Sequence, residues 1–205
     1  MSVLGPSAAF AVELRGVLAD LSLDLPDGSM KRLCAHYELL IRWNRRMNLT
    51  RVTEPRDAAR RHYGESLLLA RLMGSPDSVL DLGSGPGFPG LPIAALHIDA
   101  AVTLVESSER KAAFLREAAR DWGNVRVLCD RAENLREDAE WAVSRAVRLT
   151  PDLLSGLQGR VKRLGVLCGR DSTSELQAAE GWTWEGPVEL PWGERRIALL
   201  GHCST

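Results

Sequence analysis

The stretch Val79, Leu80, Asp81, Leu82, Gly83, Ser84, Gly85, Pro86, Gly87, Phe88, Pro89, Gly90 sets an apolar run holding one acid against closely spaced glycines. A strand that bends in this way into a helix offers bare backbone at the carboxyl edge of a sheet, where a nucleoside-type ligand can lie. Two ligand classes use such a bend. A dinucleotide site takes the spacing G-x-G-x-x-G, whose free N–H groups hold a pyrophosphate. Here Phe88 stands at the third glycine position, and Pro86 and Pro89 remove two donors. A phosphate-free sulfonium nucleoside, S-adenosyl-L-methionine, loses nothing from those missing donors. A methyltransferase loop is therefore favoured over a dinucleotide loop, with a purely structural glycine turn as the third alternative.

The surroundings of the loop predict a parallel sheet. Strands over Ser78 to Leu82, Ala101 to Val105, Val125 to Leu128, Trp141 to Ser144 and Gly165 to Cys168 alternate with helices over Pro89 to His97, Ser108 to Trp122 and Pro151 to Leu157. Such alternation implies right-handed crossovers. Trp182 to Leu190 and Arg195 to His202 read as two strands about a Pro191, Trp192, Gly193 turn, an antiparallel hairpin closing one edge.

Before the turn at Gly74, Ser75, Pro76, Asp77 the pattern is helical. Helices are expected over Ala8 to Leu21, Ser29 to Met47 with Asp27 and Ser29 as candidate caps, and Pro55 to Met73. In the second, Leu33, Tyr37, Leu40, Ile41, Asn44 and Met47 form one stripe; in the third, Leu67, Leu68, Ala70 and Leu72 face inward. This divides the chain into a helical extension, 1–74, and a Rossmann-like domain, 75–205.

Acids at the carboxyl edge extend the candidate site. Glu106 follows its strand 23 residues after Gly83, where a carboxylate can accept both ribose hydroxyls; a helix N-terminal charge is its plain alternative, a role Glu109 already fills. Asp130, Arg131, Ala132 and Glu133 follow the next strand, and Arg145 ends the one after, pointing into the crevice or pairing with an acid there.

Charge narrows the partners. The chain carries 26 Lys plus Arg against 27 Asp plus Glu, yet residues 1–72 hold 11 basic and 8 acidic side chains. Arg42, Arg45, Arg46, Arg51, Arg56, Arg60 and Arg61 face only Glu54 and Asp57 between residues 42 and 61. Phosphate contacts would give this face a function; an Arg-rich solvated surface is the bland reading. Cys34, Cys129, Cys168 and Cys203 match no zinc spacing and no disulfide framework, so buried reduced thiols, no metal and a cytoplasmic protein are expected. The uncharged run Leu82 to Ile98 is too interrupted by Gly and Pro to cross a membrane.

Several motifs together resemble the bacterial small-subunit rRNA guanine-N7 methyltransferases, the RsmG or GidB family. Trp43, Asn44 with Asn48, Leu49, Thr50 resembles W-N-x-x-x-N-L-T; Arg61, His62 with Ser66 resembles R-H-x-x-D-S, with Glu65 where the family often has Asp. Residues 81–90 resemble D-x-G-[ST]-G-x-G-x-P-G, and Ser144, Arg145, Ala146 resembles S-R-A. The resemblance implies a class I α/β methyltransferase fold with an N-terminal helical extension. It implies methyl transfer from S-adenosyl-L-methionine to N7 of a guanine in 16S rRNA, free or in the small-subunit particle, by a monomer. Cofactor contacts fall on Gly83, Phe88, Glu106, Ser107, Ser108, Ala132, Glu133 and Arg145, with Ser84, Gly85 and Gly87 completing the loop. With such a substrate the basic face would supply the RNA contacts, Arg42, Arg45, Arg46, Arg51, Arg60 and Arg61, with Arg170, two positions beyond the lysine of the family's L-K-G, as the candidate to replace it. No catalytic base is expected, since guanine N7 carries a lone pair and no proton. A nicotinamide-dependent oxidoreductase and a non-catalytic RNA-binding module are the alternatives. His36, His97, Trp43 and Tyr37 read as structural, and His62 and Asn48 as braces at the mouth of the crevice.

Overall fold

A computed structural model describes residues 5–145, 149–193 and 195–204. The chain opens with α1 (Pro6–Leu21) and α2 (Ser29–Met47), followed by α3 (Pro55–Ala58), a π-helical turn (Ala59–Gly64) and α4 (Glu65–Met73). The expected single helix over 55–73 is thus continuous in direction but widened in its middle. Widening lets two neighbouring rings diverge: His62 turns toward the cleft described below, and Tyr63 sinks into the core. In α2 the stripe falls inward as expected, with Leu33, Tyr37 and Leu40 buried. Its cap does not. Gly28, at φ 78°, occupies the cap, and Ser29 Oγ donates instead to Ala95 O at 2.7 Å, which ties α2 to a helix of the sheet layer. On α4, Leu69 is buried where Leu72 was expected and Leu72 is half-buried.

The alternating part contains β1 (Ser78–Leu82), α5 (Gly90–Leu96), β2 (Ala101–Val105), α6 (Glu109–Ala118), β3 (Val125–Leu128), β4 (Ala139–Arg145), α7 (Pro151–Leu157) and β5 (Val161–Gly169). After them come a short α8 (Thr173–Gln177), β6 (Trp182–Trp184), β7 (Val188–Glu189) and β8 (Arg196–Cys203). Sheet order is β3-β2-β1-β4-β5-β8-β6, with β7 also on β8. The first five strands are parallel and β8 is antiparallel to β5. The antiparallel unit at the edge is there, but its second arm joins the sheet and its first is cut into β6 and β7. Hydrophobic patterning explains the swap: Ile197, Ala198, Leu199 and Leu200 are all buried and need cover on both faces, whereas Trp182–Trp184 is short and suits an edge.

One cluster joins α1, α2, α4, α5 and α6 to the face of the sheet bearing Val79, Val102, Leu104, Trp141 and Val143. The opposite face, with Leu80, Leu82, Ala142 and Leu164, packs under α7 and α8. The four cysteines are free and half-buried rather than buried. No helix among the described residues is long and apolar enough to cross a membrane.

Candidate active site

At the end of β1 the chain passes through Gly83 (φ 69°), Gly85 (φ 55°) and Gly87 (φ 97°), conformations that L side chains rarely adopt. Every N–H from Ser84 to Gly90 is already donated within the protein. Ser84 N–H goes to Val105 O at 2.9 Å, Gly87 and Phe88 N–H both go to Ser84 O, and Pro86 and Pro89 have none. Gly85 N–H reaches Glu106 Oε2 and Gly90 N–H reaches Asp81 Oδ2, each at 2.9 Å. No backbone N–H of residues 84–90 remains for a pyrophosphate, while the exposed backbone still accommodates a ligand without one.

Glu106 is 6% exposed and works on both sides of the bend. Besides Gly85, its Oε1 accepts from Ser108 N at 2.8 Å. Each oxygen retains lone-pair capacity, and the residue lines a cleft of about 670 Å³ at this edge of the sheet. The remaining acceptor capacity of the carboxylate therefore fits the hydroxyls of a diol, and the loop fits a nucleoside that brings no phosphate. Asp81 lies beneath, fully buried, with Oδ1 unpartnered. Burial pushes its carboxyl up to about 7, against the Gly90 N–H bond that favours the charge. A raised folded-state pKa means this contribution to stability is complete below the unfolded value and disappears as pH rises to about 7. Asp81→Asn is accordingly expected to flatten the stability profile between about pH 4 and 7, measured by denaturant melts at stepped pH; a slope equal to wild type would place the titration elsewhere.

The far wall is aromatic. His62 stacks on Phe88 with centroids 4.7 Å apart at 21°, and the Arg145 guanidinium lies 5.8 Å from the Phe88 centroid. His62 is held from α2's end: Asn44 clasps Thr50 through both its amide atoms at 2.8 and 2.9 Å, and Thr50 Oγ1 meets His62 Nε2 at 2.8 Å. The Trp43 motif is thereby a clasp that presents Thr50. Burial first, then the Arg145 charge, pulls His62 down to about 2. It is neutral at physiological pH, so no imidazolium proton is available there. His36, pulled by burial to about 4, bridges Pro86 O at 2.8 Å and the Tyr63 hydroxyl at 2.9 Å. Its Nε2 is thus the donor and its Nδ1 the acceptor, which pins the outer turn of the loop to the helices.

Behind Phe88 sits Glu65, with no exposed surface. Its Oε2 meets Arg196 Nη2 at 2.9 Å and Nε at 3.1 Å, and Arg145 Nη2 at 3.8 Å. Burial pushes Glu65 up while the two guanidinium groups pull it down; burial lowers Arg145 to about 10, so it stays charged.

Of the expected cofactor contacts, Gly83, Ser84, Gly85, Phe88, Glu106, Ser107, Ala132, Glu133 and Arg145 converge on the cleft. Gly87 and Ser108 stand behind it, one under Leu91 and His36, the other on the Glu106 carboxylate. Asp130 and Arg131 line it too, with Asp130 held by Arg131 N and Asn134 Nδ2. Ala146 lies outside the described residues. The arginines divide. Arg42 pairs with Glu117 on α6 at 3.0 Å. Arg45, Arg46, Arg51 and Arg61 are exposed, Arg60 is half-exposed, and Arg170 pairs with Glu189 on β7, apart from the cleft. Lys111 and Leu153 complete the wall without any motif to mark them, and Arg196 has none either.

The family model for GidB, rRNA small subunit methyltransferase G, matches residues 29–180. The chain belongs to this family. A relative from Xanthomonas axonopodis pv. citri (strain 306), named ribosomal RNA small subunit methyltransferase G, is 41% identical over 213 residues, 97% of each chain. One of the same name from Azoarcus sp. (strain BH72) is 35% identical, over 98% of this chain and all of its own. Among solved structures, TrmN from Thermus thermophilus superposes with a TM-score of 0.59 at 20% identity, over 69% of this chain and 49% of its own. A SAM-dependent methyltransferase from Aquifex aeolicus gives 0.58 at 13%, over 68% and 90%. These likenesses give this GidB member the class I methyltransferase fold.

Proposed function

We propose that this GidB-family enzyme transfers a methyl group from S-adenosyl-L-methionine to N7 of a guanine in 16S rRNA. The observation that carries the cofactor is the loop whose N–H groups are all spent, set beside the Glu106 carboxylate. When bound, the sulfonium supplies an electrophilic methyl. Glu106 would accept hydrogen bonds from the ribose hydroxyls, the backbone of Asp130–Glu133 would border the adenine, and Gly83, Ser84 and Gly85 would let the amino-acid end approach. Guanine N7 would attack the methyl carbon with its own lone pair as the sulfur–methyl bond breaks, the thioether leaving neutral and the positive charge passing to the purine, so no base is needed, in accord with a neutral His62. The residues' work is alignment, which reaches about 7–11 kcal/mol in well-oriented systems, and Phe88, in contact with His62 and Arg145, gives the wall a fixed plane. No group of three or more metal-ligating side chains converges among the described residues. We take residues 75–205 as the catalytic domain and 1–74 as its RNA-facing extension, in a cytoplasmic monomer acting on rRNA or the small-subunit particle.

The test follows tritium from labelled cofactor into unmodified small-subunit RNA with wild type and Gly83→Asp. Labelling by wild type alone is expected; equal labelling, or none with wild type, overturns the reading. Calorimetry with NAD, NADP and S-adenosyl-L-methionine separates an oxidoreductase. The paired change Arg45→Glu/Arg46→Glu is expected to weaken RNA binding and reduce the salt slope by about 2, with cofactor affinity unchanged. An unaltered slope would make that helix end a solvated surface.

A further inference from the structure

Trp192 lies in the turn between β7 and β8 and is only half-buried. Its ring rests on Gly64 in the π-helical turn: a Cβ there would lie 2.5 Å from Cζ3 and 2.9 Å from Cε3, so only glycine admits the indole. Beside the ring opens a groove of about 360 Å³ lined by Asp57, Arg60, Arg61, Pro191, Trp192 and Gly193. Two guanidinium groups and an aromatic plane thus meet one carboxylate. Among the described residues neither Arg60 nor Arg61 forms an ion pair.

This groove adjoins the cleft. Arg61 lines the groove and its neighbour His62 lines the cleft. On the other side Gly193 packs on Arg196, where a Cβ would lie 2.8 Å from Cδ, and Arg196 shares Glu65 with Arg145 at the cleft wall. The wall of the cleft thus connects, through Arg145, Glu65 and Arg196, to a groove whose own open charge is Arg60 and Arg61, set beside an indole. Positive charge that tracks a backbone, combined with an aromatic face for a base, is how proteins hold single-stranded nucleic acid. An acidic peptide would use the charges and leave the ring unexplained.

We infer that the Trp192 groove seats a nucleotide of the substrate RNA flanking the target guanine, its base stacked on the indole and its phosphates on Arg60 and Arg61. This rests on the rRNA reading above and adds a second anchoring point to it. Because the anchor lies outside the cleft, it orients the strand without touching the methylated base.

The test measures binding of unmodified small-subunit RNA, and methyl transfer to it, by wild type, Trp192→Leu and Trp192→Phe. Leucine keeps an apolar group on Gly64 and removes the π face; phenylalanine restores it. Trp192→Leu is expected to bind RNA about 10-fold more weakly, with the loss falling in KM for RNA, and Trp192→Phe to recover most of it, while cofactor affinity holds. Wild-type RNA affinity in Trp192→Leu overturns the groove. Should that variant fail to fold, Arg60→Ser/Arg61→Ser is expected to lower the salt slope by about 2, and 4-thiouridine-substituted RNA to cross-link to the peptide bearing Trp192. An unchanged slope, or a cross-link confined to other peptides, rejects the proposal. Failure of wild type itself to bind and methylate the RNA instead rejects the reading on which it rests.

Discussion

Glu106→Ala is expected to weaken S-adenosyl-L-methionine binding by about two orders of magnitude while leaving the fold intact. The carboxylate holds Gly85 N–H and Ser108 N–H and offers its remaining lone pairs to the cleft. In the variant those two N–H groups border an open cleft, so water satisfies them and the cost to folding is small. The ligand has no such substitute. Hydrogen bonds to a charged group contribute about 1.5–3 kcal/mol each, and two hydroxyls at the lower figure give about 3 kcal/mol, more than a hundredfold in affinity. Glu106→Gln keeps one acceptor oxygen and is expected to lose about tenfold. Calorimetry with the cofactor reads both. Binding by Glu106→Ala within threefold of wild type would remove the ribose role and return Glu106 to a mere loop brace.

Glu65→Leu acts on stability instead. A buried carboxylate that serves two arginines cannot be deleted without leaving like charges near one another in a poor solvent. Losing one member of such a buried set costs about 3–5 kcal/mol. The Arg196 side chain is one-quarter exposed, so hydration relieves part of the penalty and the lower end applies. In a chain of this size about 3 kcal/mol lowers the melting temperature by roughly 6–12 °C. Glu65→Asp retains the charge but withdraws it by one methylene from both partners, and a loss of about 1 kcal/mol is expected. The triple change Glu65→Leu/Arg145→Leu/Arg196→Leu should recover most of the stability, because the stranded charges go with it. A triple variant as unstable as the sum of its parts would show that packing, not charge, sets the effect.

Much of this was legible in the sequence because it rests on local signals. The glycine loop, the strand of Ser78–Leu82 and the stripe of α2 each need only a few neighbouring residues to declare themselves, and their bounds agree with the structure. Glu106 was readable from its place after a strand. The sequence could not show that every loop N–H is already spent, since that depends on Val105 O and the Glu106 carboxylate arriving from elsewhere. Nor was Arg196 marked: it enters the site through the pairing of β8 with β5, more than 130 positions from Glu65 in the chain. The π-helical turn was hidden for another reason. Its sequence, Ala59 to Gly64, is ordinary for a helix, and the widening accompanies long-range contacts, His62 on Phe88 and Trp192 on Gly64. Arg170 pairs with Glu189 on β7, a partner that a later strand brings and that no local signal announced.

Because β8 lies between β5 and β6, the sheet cannot be assembled in the order in which the chain is synthesised. Residues 182–184 find their neighbour only after the last strand has emerged, and until then Glu65 lacks Arg196. A polypeptide stopping before residue 196 therefore carries an unfinished wall, and Glu65 gains Arg196 only once β8 is in place.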